Sequence, residues 1–176
     1  FTGGEATMQY KELYELLKLL KSDGIHTCIE TCGFYPASLN EQLAKLVDLF
    51  LFDYKLTDAA LHKQYTGVDN RLILENMALL NTLGAHTVLR CPILPDINLT
   101  DAHFDGLAAL AEKFSCIRQF DLEPVSRPSL PWKIRQIFHI RNQVRILMDT
   151  LPHCNRLCPL LQYGRQLQRA DHPFGL

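Results

Sequence analysis

The feature that most constrains the fold of this 176-residue chain is a regular alternation between short apolar runs and amphipathic segments. Runs typical of buried strands occupy residues 25–31, 47–52, 86–91 and 117–122, and the segments between them repeat apolar residues at helical spacing. A strand, a helical crossover and a second strand form a right-handed parallel unit. The sequence therefore predicts an α/β fold with parallel strands.

The helices of this alternation are bounded by recognisable start and stop residues. A first amphipathic helix follows Glu5 and ends at Gly24, and a later one spans residues 72–83 before Gly84. Ser, Thr and Asp side chains favour helix N-termini because they accept hydrogen bonds from free backbone N–H groups. On this basis helices are predicted from Ser38 to Lys45, from Asp58 to Tyr65, and from Thr100 or Asp101 to Phe114.

The charge pattern divides the chain near Ser126. Residues 1–126 carry a formal charge of -7, whereas residues 127–176 contain eight Lys and Arg against two Asp and Glu, a formal +6. We predict a compact core at residues 1–126 and a basic C-terminal segment of uncertain fold at residues 127–176. At most one helix, at residues 133–148, is expected in this segment, which we interpret either as an ordinary extension or as foreign to the domain. Truncation after Ser126 should then cost little stability.

Composition excludes several classes of protein. The longest apolar run is far shorter than a transmembrane helix, and no signal peptide precedes it, so a cytoplasmic protein without membrane contact is expected. The net charge of -1 gives no indication of nucleic-acid binding. The six cysteines form no dense disulfide framework. They are Cys28, Cys32, Cys91, Cys116, Cys154 and Cys158.

The chain begins with an apolar residue and a Gly-Gly-Glu turn. Gly3 and Gly4 permit positive φ angles and a close approach of a ligand to the backbone, and Glu5 adds a negative charge before a helical pattern. Alone, this tripeptide is a weak signal and is more typical of an ordinary strand-to-helix turn.

Polar residues follow each predicted strand, where parallel α/β proteins place their ligand sites. They are Gly3, Gly4, Glu5, Glu30, Thr31, Cys32, Asp53, Lys55, Arg90 and Glu123. Two interpretations are open. The residues either lie at strand ends because these ends meet solvent, or they line one polar opening, a mouth, at the edge of the sheet. Because both signs of charge are present, the second interpretation favours a zwitterionic small molecule, with carboxylates facing an ammonium and cations facing a carboxylate.

Several motifs together resemble the activating enzymes of glycyl-radical enzymes, a branch of the radical S-adenosylmethionine proteins that includes the pyruvate formate-lyase activating enzyme. The resemblance covers about residues 1–124. Its motifs are Gly3-Gly4-Glu5-Ala6, the stretch from Gly24 to Gly33, the stretch from Asp48 to Lys55, the stretch from His62 to Val68, Leu74-Glu75-Asn76, and Leu89-Arg90-Cys91-Pro92.

The resemblance implies part of an open (β/α)6 barrel and a set of residues that bind S-adenosylmethionine. The Gly-Gly-Glu turn would hold the methionine ammonium, and Lys55 of the Asp53-x-Lys55 pair would lie near the methionine carboxylate. Arg90 matches the strand-end arginine of the family. Glu30-Thr31 stands where the family usually has Asp-Thr. The implied cofactors are S-adenosylmethionine and a [4Fe-4S] cluster.

The implied activity is that of an anaerobic oxidoreductase. One-electron reduction of S-adenosylmethionine by the cluster gives a 5'-deoxyadenosyl radical, which abstracts a hydrogen atom from a glycine of a partner enzyme. The implied partners are a glycyl-radical enzyme similar to pyruvate formate-lyase and an electron donor such as flavodoxin or ferredoxin. The resemblance does not indicate which glycyl-radical enzyme is activated or the oligomeric state.

The sequence departs from the family at two places. The Cys-x3-Cys-x2-Cys cluster motif belongs before the Gly-Gly-Glu turn, so the chain resembles a member cut after its cluster loop, and we expect this fragment to be inactive alone. Cys154 and Cys158 have the x3 spacing, but Leu161 stands at the third position. Pro124 is followed by Val125-Ser126 rather than by the Tyr-His of the family. No metal ligand and no catalytic residue is therefore assigned.

Two alternatives remain at the level of sequence. Lys55 could act as a Schiff-base nucleophile of a barrel lyase, because neighbouring carboxylates can tune the basicity of a lysine. The chain could also be a non-catalytic domain that binds a partner protein. Under every interpretation Cys28, Cys91 and Cys116 are predicted to be structural, since none has a second cysteine at metal-ligand spacing within its own element.

Overall fold

The computed structural model describes residues 1–124 and 144–147, with side chains described through Glu123. Its centre is one sheet whose strands follow the order of the sequence, β1-β2-β3-β4-β5. The strands are β1 (Cys28–Thr31), β2 (Leu49–Asp53), β3 (Thr87–Ile93), β4 (Ile117–Pro124) and β5 (Val144–Leu147). β1 to β4 are parallel, as predicted, and their open arrangement matches a partial barrel.

The first residue extends the parallel pattern beyond β1. The Phe1 amino group donates to the Cys28 carbonyl at 2.6 Å, and the Phe1 carbonyl accepts from the Glu30 N–H at 2.8 Å. These two bonds are those of a parallel strand pair centred on Ile29. The backbone that enters the Gly-Gly-Glu turn is thereby fixed at the β1 edge of the sheet.

Helices connect the parallel strands. They are α1 (Tyr10–Ser22), α2 (Asn40–Leu46), α3 (Ala59–Thr66), α4 (Arg71–Thr82) and α5 (Asp101–Lys113), with short 3-10 turns at Ala6–Gln9 and Ala37–Leu39. Asp58 and Thr100 accept hydrogen bonds from Leu61 and His103 N–H groups, so two predicted caps are confirmed. Ser38 does not cap α2, because it lies inside the preceding 3-10 turn.

The core lies between the sheet and these helices. Alternate strand residues are fully buried, including Ile29, Phe50, Phe52 and Leu89, and they pack with helical residues such as Met77. Residues one position away on the same strands point to the opposite face, since side chains alternate along a strand. On this face lie the polar strand ends Glu30, Asp53 and Arg90.

The C-terminal segment contradicts one sequence prediction. Val144–Leu147, predicted to belong to a helix at residues 133–148, form β5 and pair antiparallel with β4. The four residues read V-R-I-L, of which only the first three alternate between apolar and polar, so the signal for a strand is short. The rest of residues 125–176 lies outside the described residues, and the boundary after Ser126 stays a prediction. No helix in the described part of the chain is long and apolar enough to cross a membrane.

Candidate functional site

A polar cavity of about 230 Å³ opens at the carboxyl edge of β1 and β2. It brings together most of the residues that the sequence predicted to form one mouth. Its lining consists of Thr2, Gly3, Gly4, Glu30, Thr31, Cys32, Asp53 and Lys55. Glu5 and Arg90 do not line it, although both contact residues that do. The end of β1, the end of β2 and the Gly-Gly turn therefore form its walls.

The two glycines of the turn have backbone conformations that other residues avoid. Gly3 has φ of 99° and Gly4 has φ of 53°. A Cβ atom placed on either would meet no atom within 4 Å, so packing does not require glycine here. Their use is to turn the chain and to leave bare backbone facing open space beside the cavity.

Glu5 holds the turn against β1. Its carboxylate accepts hydrogen bonds from the Thr7 hydroxyl at 2.7 Å, the Thr31 hydroxyl at 2.8 Å and the Cys32 N–H at 2.9 Å. Burial alone would raise the pKa of the Glu5 carboxyl, but these hydrogen bonds together lower it below its ordinary value. The carboxylate is engaged by the chain itself, so the part of the turn open to a ligand is the glycine backbone.

Arg90 ties two strand ends together. Asp53 on β2 lies directly across from Arg90 on β3 in the sheet register, and the Arg90 Nε donates to Asp53 Oδ1 at 2.8 Å. The Arg90 guanidinium also pairs with the Glu30 carboxylate, which in turn accepts a hydrogen bond from the Thr2 hydroxyl. The Arg90 charge is thus balanced by two carboxylates of the chain, and its role in cofactor binding stays a prediction.

Lys55 is the cation that remains available to a ligand. It is the only basic residue in the cavity lining, and no carboxylate among the residues described lies within ion-pair distance of its ammonium. Lys55 and the glycine turn face the same cavity. A small molecule with an ammonium at one end and a carboxylate at the other would therefore find complementary groups there.

The surroundings of Asp53 in the mouth shift the pKa of its carboxyl. Burial raises the pKa of its carboxyl to about 6, the charges of Glu123 and Glu5 act in the same direction, and Lys55 opposes them. A bound cation would favour the ionised form and lower this pKa. Charge at Asp53 is therefore coupled to what occupies the cavity.

Sequence reasoning missed three buried asparagines whose side chains hold backbone segments near the mouth. The Asn98 amide donates to the Lys55 carbonyl at 2.9 Å and to the Pro92 carbonyl at 2.8 Å. The Asn76 amide donates to the Gly33 and Tyr35 carbonyls at 2.9 and 2.8 Å. The Asn70 amide reaches the Leu56 and Thr57 carbonyls. No local signal indicates this role, because Asn76 lies inside α4, Asn70 directly precedes that helix, and Asn98 lies in a loop, where asparagine is ordinarily a turn residue.

The described cysteines are free thiols. Cys91 and Cys116 are buried, and Cys28 and Cys32 are partly buried at the two ends of β1. Within residues 1–123, no three His, Cys, Asp or Glu side chains are grouped so that they could hold a metal ion. Cys154 and Cys158 lie outside the described residues.

The geometry is accompanied by clear similarity to known proteins. The model of the Radical SAM superfamily matches residues 1–108. The trans-4-hydroxy-L-proline dehydratase activating enzyme of Clostridioides difficile is 38% identical over 105 residues, which cover 59% of this chain and 35% of that enzyme. The choline trimethylamine-lyase activating enzyme of Oleidesulfovibrio alaskensis is 36% identical over 118 residues, covering 67% of this chain and 38% of the relative.

A solved structure agrees with the fold. A crystallised domain of pyruvate-formate lyase-activating enzyme from Bacteroides vulgatus superposes with a TM-score of 0.67 at 17% identity, covering 94% of this chain and 92% of that domain. The chain spans between 35% and 38% of the length of the two curated relatives named above. Since the family model covers more than half of the chain and the strand-end site matches the motifs on which the resemblance rests, the chain belongs to the radical SAM superfamily.

Proposed function

We propose that this chain carries the S-adenosylmethionine-binding core of an enzyme that activates a glycyl-radical enzyme. Family membership implies S-adenosylmethionine and a [4Fe-4S] cluster as cofactors. The observation that carries the proposal is the cavity in which the open Gly3-Gly4 backbone and the unpaired Lys55 ammonium face the same space. The names of the curated relatives, all of them activating enzymes, support the reaction class.

The residues of the mouth fit the methionine end of S-adenosylmethionine. The bare carbonyls of the glycine turn would accept from the ammonium, and the Glu30 and Asp53 carboxylates make that side of the cavity negative. Lys55 would bind the carboxylate. Arg90 would hold Glu30 and Asp53 in place, while Glu5 holds the turn. The matching charges at the two ends fix the direction in which the cofactor lies.

The cluster requires ligands that the described residues do not supply. When bound, it supplies the electron that cleaves S-adenosylmethionine and leads to removal of a hydrogen atom from a glycine. The chain's own contribution is to bind and orient the methionine end and to keep its charges compensated. A partner similar to pyruvate formate-lyase, flavodoxin or ferredoxin as electron donor, and a cytoplasmic location belong to the same proposal.

The test is binding of S-adenosylmethionine by calorimetry to the full chain. Lys55→Ala should weaken binding at least tenfold, because the methionine carboxylate loses its only charged partner in the cavity. Lys63→Ala, which removes an exposed lysine of α3 outside the cavity, is the matched control and should bind as the wild type does.

A second ligand sharpens the test. Decarboxylated S-adenosylmethionine lacks the group that Lys55 would bind, so the wild type should bind it more weakly, and Lys55→Ala should no longer distinguish the two ligands. Equal discrimination by both proteins would remove Lys55 from the site, and absence of binding to the wild type would contradict the proposed function.

A further inference from the structure

We propose that Asn98 is a positioning residue for the cofactor site, acting by holding the backbone of Lys55 against the loop that follows β3. The inference rests on the proposed function, in which Lys55 binds the carboxylate of S-adenosylmethionine. Of the three residues to which the Asn98 side chain is hydrogen-bonded, Leu94, Lys55 and Pro92, Lys55 is the one that lines the cavity. Its effect on binding would therefore pass through Lys55.

The Asn98 side chain joins two loops through three hydrogen bonds. Its amide nitrogen donates to the Lys55 carbonyl at 2.9 Å and to the Pro92 carbonyl at 2.8 Å, and its amide oxygen accepts from the Leu94 N–H at 2.7 Å. The residue is 1% exposed. Two donors and one acceptor on a single planar group are needed here, and among the short side chains only asparagine offers them.

The hydrogen bond from Asn98 holds the backbone of Lys55, whereas other hydrogen bonds hold the backbone of the neighbouring residues. It follows the last residue of β2, Asp53, by two positions, so the sheet ladder no longer fixes its backbone. The Tyr54 N–H still bonds to the Arg90 carbonyl, and the next carbonyls along the chain, Leu56 and Thr57, are held by Asn70. The Lys55 carbonyl is held by Asn98.

The same contact links the cofactor site to the segment between β3 and α5. Backbone bonds from Ile97, Asn98 and Leu99 to the Leu94 carbonyl close this loop on itself, and the Asn98 side chain anchors it to β2. A displacement of the loop would move the Lys55 backbone, and a ligand on Lys55 would order the loop. The position of the loop and the position of Lys55 are therefore coupled.

Asn76 provides a matched control. It is also fully buried, donates two hydrogen bonds to carbonyls, and accepts one from the Asn40 amide at 2.7 Å. Replacing either asparagine with alanine leaves two buried carbonyls without these donors, so both variants should lose similar thermal stability. Only Asn98 is bonded to Lys55.

The experiment compares the full-length wild type, Asn98→Ala, Asn98→Asp and Asn76→Ala. We expect Asn98→Ala and Asn98→Asp to weaken S-adenosylmethionine binding about tenfold, since aspartate keeps the acceptor for Leu94 but has no donor for Lys55. Asn76→Ala should bind within about twofold of the wild type despite a similar fall in Tm. Equal losses in Asn76→Ala, or wild-type affinity in Asn98→Ala, would overturn the proposal.

A readout without the cofactor separates this proposal from the proposed function. Trace acetylation followed by mass spectrometry measures the reactivity of Lys55 relative to Lys63 in the ligand-free proteins. Reactivity of Lys55 should change in Asn98→Ala and stay unchanged in Asn76→Ala. If the wild type fails to bind S-adenosylmethionine but this change appears, the proposed function fails and the positioning role stands. An unchanged Lys55 in Asn98→Ala contradicts the positioning role.

Discussion

The mouth, meaning the residues that line the cavity at the carboxyl edge, and the polar layer beneath it differ in charge and in burial. The mouth carries charges of both signs and bare glycine backbone, and Glu30, Asp53 and Lys55 in it are partly exposed. The layer beneath contains neutral groups, Asn70, Asn76, Asn98 and His103, each no more than 4% exposed. Groups that must exchange partners with a ligand stay near water, whereas the asparagines that hold loops are buried and hydrogen-bonded to the chain.

This contrast predicts that substitutions in the mouth change binding more than stability, and that substitutions in the layer beneath do the reverse unless they touch a mouth residue. Arg90 lies between the two cases. Arg90 is charged, as the mouth residues are, but both of its carboxylate partners belong to the chain. Substitution of Arg90 should therefore change stability more than binding.

The largest effect is expected from a pair of glycine substitutions. A Cβ on Gly33 would lie 2.1 Å from the Phe52 ring, and its φ of 75° is unfavourable for alanine. Gly33→Ala should therefore cost about 4 kcal/mol of unfolding free energy, from overpacking and backbone strain together. Gly4→Ala has no such clash and should cost about 1 kcal/mol, from its positive φ alone, while it weakens S-adenosylmethionine binding. Urea unfolding and calorimetry measure both, and similar stabilities for the two variants would contradict the comparison.

The next effect concerns His103, the ionisable group of the layer beneath. Burial lowers the pKa of His103 to about 4, and the Thr57 N–H donates to its Nδ1 at 3.3 Å, which places the proton of the neutral ring on Nε2. The unfolded chain binds a proton at its ordinary pKa of 6.5, so the unfolded state takes up more protons between pH 6.5 and 4. The contribution of His103 to stability should fall by about 3 kcal/mol as the pH is lowered through this window.

His103→Gln should remove this contribution to the pH dependence of stability, as measured by urea unfolding between pH 4 and 7. Asp53→Asn is the informative companion, because the raised pKa of Asp53 acts with the opposite sign: its contribution decreases stability as the pH rises from about 4 to 6. Removing Asp53 should therefore make the acid dependence steeper. A wild-type stability that does not change between pH 6.5 and 4.5, together with no effect of either substitution, would contradict both assignments.

How far the sequence predicted this arrangement depends on whether a residue acts through its position along the chain or through a partner distant in sequence. Strand alternation located Glu30, Asp53, Lys55 and Arg90 at one edge, because parallel strands all end on the same side of a sheet. It could not show that Arg90 is bonded to two of these carboxylates, since a register between strands is not readable from charge. From the sequence, both Lys55 and Arg90 were expected to face the ligand as cations. In the structure, Lys55 lines the cavity and Arg90 does not.

The asparagine layer was missed for a related reason. Asn98 and Asn76 act over 43 residues of sequence, on Lys55 and on Gly33, and no local pattern encodes such a contact. Asn76 even falls within a motif on which the family resemblance rests, yet the motif gives no hint of its hydrogen bonds. β5 was missed because four residues in a basic stretch give too short a signal, and pairing with β4 decides their conformation.

The smallest expected effect is a pH dependence of binding that originates at Asp53. The raised pKa of about 6 means that the ligand-free mouth takes up a proton at Asp53 as the pH falls through this value. The cationic end of S-adenosylmethionine favours the ionised carboxylate, so the ligand must displace that proton, and affinity should weaken by up to tenfold from pH 7 to pH 5. Asp53→Asn should bind more weakly at pH 7 but with little change in affinity over this range.

The Arg90 guanidinium, 2.7 Å from Asp53, is released from one of its partners when Asp53 is protonated. Arg90 stays paired with Glu30 and does not line the cavity, so Lys55→Ala should lose similar affinity at pH 5 and at pH 7. Calorimetry of the wild type and both variants at the two pH values measures these differences, and a pH-independent affinity of the wild type would show that Asp53 does not exchange its proton with the ligand.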